Sequence, residues 1–118
     1  MSKNCIFCKI IQGEIPAERI YENEGFICIK DIQPKTQTHL LVIPKQHIES
    51  LDEAYPENDN PVGGAVELLS TSVKVARKMG LLPRGYRTII NTGTEGGQSV
   101  PHLHLHILAG KGLRIDLN

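Results

Sequence analysis

The chain has 118 residues, and its 13 Lys+Arg balance 13 Asp+Glu to a formal net charge of zero. That length suits a single domain over 1–118 that buries about two-thirds of its unfolded surface, and 40% hydrophobic with 22% charged residues argues against wholesale disorder. Zero net charge argues against nucleic acid or an anionic membrane as partner. No apolar run approaches the ~20 residues of a bilayer span. The amino terminus lacks the apolar stretch of a secretory signal, so a cytoplasmic location is expected.

Along the chain, Ile6, Phe7, Ile10 and Ile11 recur at helical spacing and predict a helix over 4–12, stopped at Gly13. After Pro16 a short strand is predicted over 18–21, then a turn at 23–25 and a strand over 26–30. Residues 31–34 offer the next turn, and the nearly continuous apolar run 39–43, closed by Pro44, has the pattern of a central strand. Residues 55–64, rich in Pro, Asn, Asp and Gly, predict a loop. From Ala65 a long helix is expected, with Val66, Leu69, Val73, Ala76 and Met79 along one face and Glu67, Thr71, Lys74 and Lys78 opposite. Leu68 and Val75 widen the apolar stripe, which suits either a broad core contact or a subunit interface. Gly80 and Pro83 end the helix, 86–91 and 103–108 are strand candidates, and 93–99 is a glycine-rich loop. The predicted fold is α+β: a mainly antiparallel sheet with a short amino-terminal helix and one long amphipathic helix.

Three cysteines cannot all pair within one chain. Cys5 and Cys8 form C-x-x-C, in a reducing cytosol more often a metal clip or redox pair than a disulfide. Cys28, inside an apolar run, is expected to pack as a small hydrophobe.

The most informative segment is Pro101-His-Leu-His-Leu-His-Ile-Leu108. On a strand, His102, His104 and His106 would share one face at ~6.5–7 Å spacing, with Leu103, Leu105 and Ile107 on the other. The remaining histidines, His39 and His47, flank another apolar strand, so pairing the two would gather every histidine in one region. Such an array suits either an open metal site or nucleophilic catalysis by an imidazole. The adjoining glycines 93, 96 and 97 would let backbone N–H groups approach an anion, with Ser99 and Asn91 as further donors.

Gly96-Gly-Gln-Ser-Val-Pro-His-Leu-His-Leu-His-Ile-Leu108 resembles the motif of the histidine-triad (HIT) superfamily. Cys5-Ile-Phe-Cys-Lys-Ile-Ile11, Asp31-Ile32 and Thr38-His-Leu-Leu-Val-Ile-Pro-Lys45 resemble it too, in the right order and over nearly the whole chain. The likeness is strongest to the nucleotide-binding (Hint) branch. His106 departs from the galactose-1-phosphate uridylyltransferase branch, which has Gln there.

The resemblance implies hydrolysis at the α-phosphate of a purine nucleoside phosphoramidate through a nucleotidyl-histidine. His104 would be the nucleophile, with its other ring nitrogen donating to a fixed acceptor such as a backbone carbonyl. His106, Ser99 and Asn91 would hold the phosphate oxygens, alongside Gly97 and Gln98, and His39 would orient the catalytic histidines or join a proton relay. Asp31 would accept from ribose hydroxyls, with Ile6, Phe7, Ile10, Ile29 and Ile32 around an AMP- or GMP-like base.

The resemblance also implies a Cys₂His₂ structural zinc site at Cys5, Cys8, His47 and His102, which would steady His104 through its neighbour; no organic cofactor is expected. A homodimer is expected on the same ground. The carboxyl-terminal stretch 110–118 is shorter than that of many Hint-type proteins, which leaves the leaving amine open. Competing possibilities are a nucleotide sensor or scaffold with negligible turnover, a dinucleoside polyphosphate hydrolase, and a metallohydrolase built on the H-x-H strand.

Overall fold

A computed structural model describes residues 4–58 and 60–114. Its elements run α1 (Ile6–Ile11), β1 (Arg19–Glu22), β2 (Phe26–Lys30), β3 (Thr38–Pro44), α2 (Leu51–Ala54), a 3-10 turn (Gly63–Glu67), α3 (Leu68–Lys78), β4 (Arg87–Ile89) and β5 (Leu105–Ala109). The strands form one antiparallel sheet in the order β1-β2-β3-β5-β4. The α+β architecture predicted above is therefore the one adopted. The apolar run on β3 is the middle strand, buried from His39 to Pro44, as expected of a strand covered on both faces.

Alternation along the strands divides the core in two. Phe26, Cys28, Leu40, Val42, Leu105 and Ile107 face α3 and pack on Leu68 and Val75. Ile27, Ile29, Leu41 and Ile43 face the other way and pack on Phe7 and Ile10 of α1. His39 and His106 follow the second set, so the sheet delivers them to the α1 side. Cys28 is fully buried, and desolvation pushes its thiol up to about 12; it packs as the small hydrophobe expected.

The long helix differs from expectation in both boundary and face. Residues 63–67 wind as a 3-10 turn, and the buried side of α3 is Leu68, Thr71, Ser72, Val75 and Ala76. Val66 and Leu69, expected to lead the buried stripe, are about three-fifths exposed, whereas Leu68 and Val75 are core. The tighter winding shifts the phase of everything before Leu68. Small hydroxyl residues then fill the packed face, since Ser72 Oγ donates to the Leu69 carbonyl at 2.7 Å and carries no unmet polar group inside.

The last strand begins later than predicted, at Leu105 rather than Leu103. Its ladder with β3 ends at the Val42–Leu105 pair, and the Leu103 N–H turns instead to the Ile48 carbonyl at 2.6 Å. His102 and His104 therefore occupy chain just before β5, and His106 alone of the three lies in the ladder. The predicted strand 86–91 shortens to Arg87–Ile89. Of the carboxyl-terminal stretch, residues 115–118 lie outside the described residues.

Candidate active site and a buried cysteine–histidine centre

The α1 face of the sheet opens into a cleft of about 510 Å³, within the range of small-ligand sites. His39, His104, His106, Asp31, Asn91, Gly97 and Ser99 line its polar part, and Ile6, Phe7, Ile10, Ile29 and Ile32 its apolar part. Ile32 is 87% exposed and Ile6 43%, an apolar rim that a flat apolar group would cover. His104 shares the cleft with Asn91 and Ser99, as a nucleophile beside a phosphate seat requires.

Each ring has a tautomer fixed by its neighbours. His104 Nδ1 lies 2.7 Å from the His102 carbonyl oxygen, which can only accept, so Nδ1 carries the proton and Nε2 keeps its lone pair. Phe7 meets the same ring edge-on at 5.0 Å. Burial lowers the His104 pKa, against the opposing pull of the His102 carbonyl and Asp31. The imidazole is thus neutral near neutral pH, with one nucleophilic nitrogen.

His39 and His106 form a directional chain. The Lys35 N–H donates to His39 Nδ1 at 3.0 Å, so the neutral ring carries its proton on Nε2, 3.0 Å from His106 Nδ1. His106 then accepts at Nδ1 and presents Nε2–H as a donor. Burial first, with His104 and His39 beside it, pushes the His106 pKa down to about 4. Burial likewise lowers that of His39. Asp31, His39 and His106 also bring donor atoms within 4.8 Å of one another. Binding a metal at His39 Nε2 would require giving up the Lys35 hydrogen bond or forming an imidazolate. These rings are set as a donor chain.

The glycine loop corrects one expectation. The N–H groups of Gly97 and Gln98 donate to the Thr94 and Gly93 carbonyls, and the Gly93 N–H donates to Gln98 Oε1. These amides close the loop on itself. A side chain at Gly96 would collide with the Thr92 carbonyl, which accounts for that glycine. Gln98, expected to touch substrate, does not line the cleft: its amide donates to the Glu49 and Val100 carbonyls at 2.6 and 3.0 Å. Asn91 Nδ2 donates to the Gly96 carbonyl at 2.8 Å, leaving one amide hydrogen for a ligand.

Behind His104, the second cluster assembles as the sequence suggested. Cys5 caps α1, accepting the Cys8 N–H at 3.3 Å. Cys5 Sγ lies 3.3 Å and Cys8 Sγ 3.6 Å from His102 Nδ1, while Cys8 Sγ lies 3.2 Å from His47 Nδ1. Adjacent donors around tetrahedral zinc stand ~3.5 Å apart, given Zn–S and Zn–N bonds of about 2.3 and 2.0 Å. His102 Nε2 donates to the Pro44 carbonyl at 2.8 Å, which leaves the Nδ1 lone pair aimed at the thiols. The donor set and spacing fit zinc. His102 faces this cluster and does not line the cleft.

A family model described as "Scavenger mRNA decapping enzyme C-term binding" matches residues 4–114. Protein HitA of Neisseria gonorrhoeae is 47% identical over 105 residues, covering 89% of this chain and 94% of its own. The chain belongs to the histidine-triad family. Among solved structures, a HIT family hydrolase from Clostridium thermocellum superposes on this histidine-triad protein with a TM-score of 0.84 at 41% identity, covering 98% and 99% of the two chains. A zinc-bound histidine-triad protein from Mycobacterium smegmatis superposes at 0.75 with 38% identity, covering 92% of this chain and 76% of its own.

The motif left several cleft residues of this histidine-triad protein unread. Ile15, Pro16 and Ala17, met as an interruption after α1, extend the apolar part, and Lys30, Gln33 and Lys35 edge the polar part. The clustering of Lys30, Gln33 and Lys35 around Asp31 was the available signal. Among the described residues no helix is long and apolar enough to cross a membrane.

Proposed function

We propose that the protein is a hydrolase of purine nucleoside phosphoramidates that works through a nucleotidyl-histidine at His104. The observation that supports this most is the His104 Nδ1–H bond to the His102 carbonyl, which frees Nε2 in a cleft also lined by Asn91, Ser99 and His106. Nε2 attacks the α-phosphorus, a P–N(His) bond forms, and the P–N bond to the leaving amine breaks with its electron pair going to the amine, which takes a proton from solvent water at the open cleft. His106 Nε2–H, Ser99 and the spare Asn91 amide hydrogen donate to the phosphate oxygens. Water then displaces the histidine and releases the nucleoside monophosphate. His39 acts here as an orienting group: its Nδ1 accepts a main-chain N–H and holds no proton to relay.

The apolar part of the cleft takes the base. Asp31, with one oxygen on the Gln33 N–H at 2.8 Å, keeps lone pairs for ribose hydroxyls. Cys5, Cys8, His47 and His102 would hold structural zinc, supplying a fixed tie between α1 and the histidine segment. A site built on two thiolates suits a reducing cytoplasm. The exposed Val66 and Leu69 would meet a second copy in a homodimer.

The test is incubation with adenosine 5′-phosphoramidate and, in parallel, a dinucleoside polyphosphate, following AMP release and trapping labelled AMP on the protein. Wild-type protein is expected to release AMP from the phosphoramidate and to carry label at His104. His104→Ala should lose both and still bind AMP. Undiminished hydrolysis by His104→Ala, or label on another histidine, overturns the mechanism. Turnover of the polyphosphate alone overturns the substrate class.

A further inference from the structure

Three charged side chains other than histidine line the cleft: Lys30, Asp31 and Lys35. Two have side-chain partners of their own. Lys30 Nζ lies 3.3 Å from Glu18 Oε2, and Asp31 Oδ2 lies 3.4 Å from His39 Nε2. Lys35 Nζ donates to the Gln33 carbonyl at 3.2 Å, and no described carboxylate pairs with it. Among the described residues the ammonium is therefore a cation at the cleft with no carboxylate within ion-pair distance.

Its backbone is well anchored. The Lys35 N–H is held by His39 Nδ1, and Gly112 sits so close that a Cβ there would stand 2.9 Å from the Lys35 carbonyl oxygen. Two residues on, Gln37 and Lys111 bond each other through the Gln37 N–H at 2.7 Å and the Lys111 N–H at 3.2 Å. His39, held by that N–H, in turn stands 3.0 Å from His106 Nδ1 through its Nε2. Lys35 is thus fixed on the His39–His106 flank of the reacting centre. In-line displacement places the leaving group on the side of phosphorus away from the attacking Nε2 of His104.

Resting on the phosphoramidase function, we propose that Lys35 is a specificity-determining residue that pairs with a leaving amine bearing a carboxylate, the chemistry of an amino acid linked through its α-amine. The ion pair is made in the ground state and kept in the transition state, so it acts mainly on KM. At a partly exposed site such a pair is worth about fivefold in affinity.

The test compares two adenosine 5′-phosphoramidates that differ only in the leaving group, glycine with a free carboxylate against neutral glycinamide. Wild-type protein is expected to favour the glycine compound about fivefold in kcat/KM, chiefly through KM, with the preference shrinking as salt is raised. Lys35→Gln should bring the ratio to about one and Lys35→Glu should invert it, while Lys35→Arg retains it. Thermal melts check that each variant is folded. A ratio unchanged between wild type and Lys35→Gln, or near one in wild type, overturns the role of Lys35 alone. Failure of the wild-type protein to turn over either compound overturns the phosphoramidase function and this proposal with it.

Discussion

Replacing His39 by alanine removes the donor that His106 Nδ1 accepts at 3.0 Å, while leaving the His104–His102 bond in place. Two losses follow. The neutral His106 ring is no longer held to the Nε2–H tautomer, so roughly half the molecules present a lone pair to the phosphate, a factor of about two. One hydrogen bond worth about 1 kcal/mol net also ceases to orient the ring, a further factor of about five. Together kcat should fall about tenfold, at the lower edge of the 10- to 100-fold range typical of groups that orient a catalytic ligand. KM should move less than kcat, because the base contacts lie elsewhere and Asp31, 3.4 Å from His39 Nε2, keeps its bond from the Gln33 N–H. Glutamine at 39 can place an amide N–H near the lost Nε2–H and should recover most of the loss. The assay is steady-state AMP release from adenosine 5′-phosphoramidate by wild type, His39→Ala and His39→Gln, with melts to show that each is folded. A loss in His39→Ala as deep as in His104→Ala would mean that His39 moves a proton in the chemical step, against its fixed tautomer. An unchanged kcat would mean that the His106 tautomer has no bearing on turnover.

Acid should destabilise the fold. The folded-state pKa of His106 is pushed down to about 4 against its ordinary 6.5, so the unfolded chain binds more protons between those values. Stability should be level above about pH 6.5 and fall as pH drops towards 4. Melts across that window measure the slope; His106→Gln should flatten it, and a Tm that rises on acidification would refute the assignment. Removing metal with EDTA should lower Tm by roughly 10 °C or more, while turnover measured well below the new Tm falls less than about tenfold, the lower bound for support groups around a ligand. Complete loss of activity in a still-folded chain would put the metal in the chemical step. On α3, Leu69→Glu should convert a dimer to a monomer in sedimentation without loss of helicity, because Leu69 is exposed, whereas Leu68→Glu should unfold the core; a wild-type monomer at micromolar concentration would remove the interface.

How legible each part was depended on whether its pattern or its partners decided the outcome. The apolar runs of β2 and β3 report directly that both faces are buried, and both strands came out where their patterns put them. Histidine spacing likewise brought His39 and His106 to one face, because alternation is a local property of extended chain. The face of α3 was misread since Thr71 and Ser72 are polar by type yet small and buried, while Val66 and Leu69 are apolar and exposed. Hydropathy records composition, and packing records fit. The anion-binding role expected of the glycine loop is narrowed for a related reason, to the loop amides other than those of Gly93, Gly97 and Gln98. Glycine shows that main chain can approach closely, but the Thr94 and Gly93 carbonyls and Gln98 Oε1 claimed those amides first. A backbone-carbonyl partner for His104 was expected, but which carbonyl it is, and the Lys35 N–H that sets the His39 tautomer, depend on main-chain geometry that spacing does not carry.

His102 ties these parts together through three separate bonds. Its ring Nε2 donates to the Pro44 carbonyl at the end of β3, its ring Nδ1 faces the two thiols of α1, and its own carbonyl accepts the His104 Nδ1–H. The first two fix the ring from opposite sides, and with the ring fixed the peptide behind it has little freedom to rotate. The third then transfers that rigidity to His104, the proposed nucleophile, whose Nε2 would have to meet phosphorus along one line. Phe7 reinforces the coupling, with its ring edge-on to His102 at 5.8 Å and to His104 at 5.0 Å. A metal held at the thiols would therefore bear on the proposed catalysis without touching substrate, by setting how tightly the carbonyl of residue 102 is held. Exchange of a buried liganding histidine for a residue that keeps the main chain but not the ring should widen the range of His104 orientations before it unfolds the protein, lowering kcat more than it raises KM.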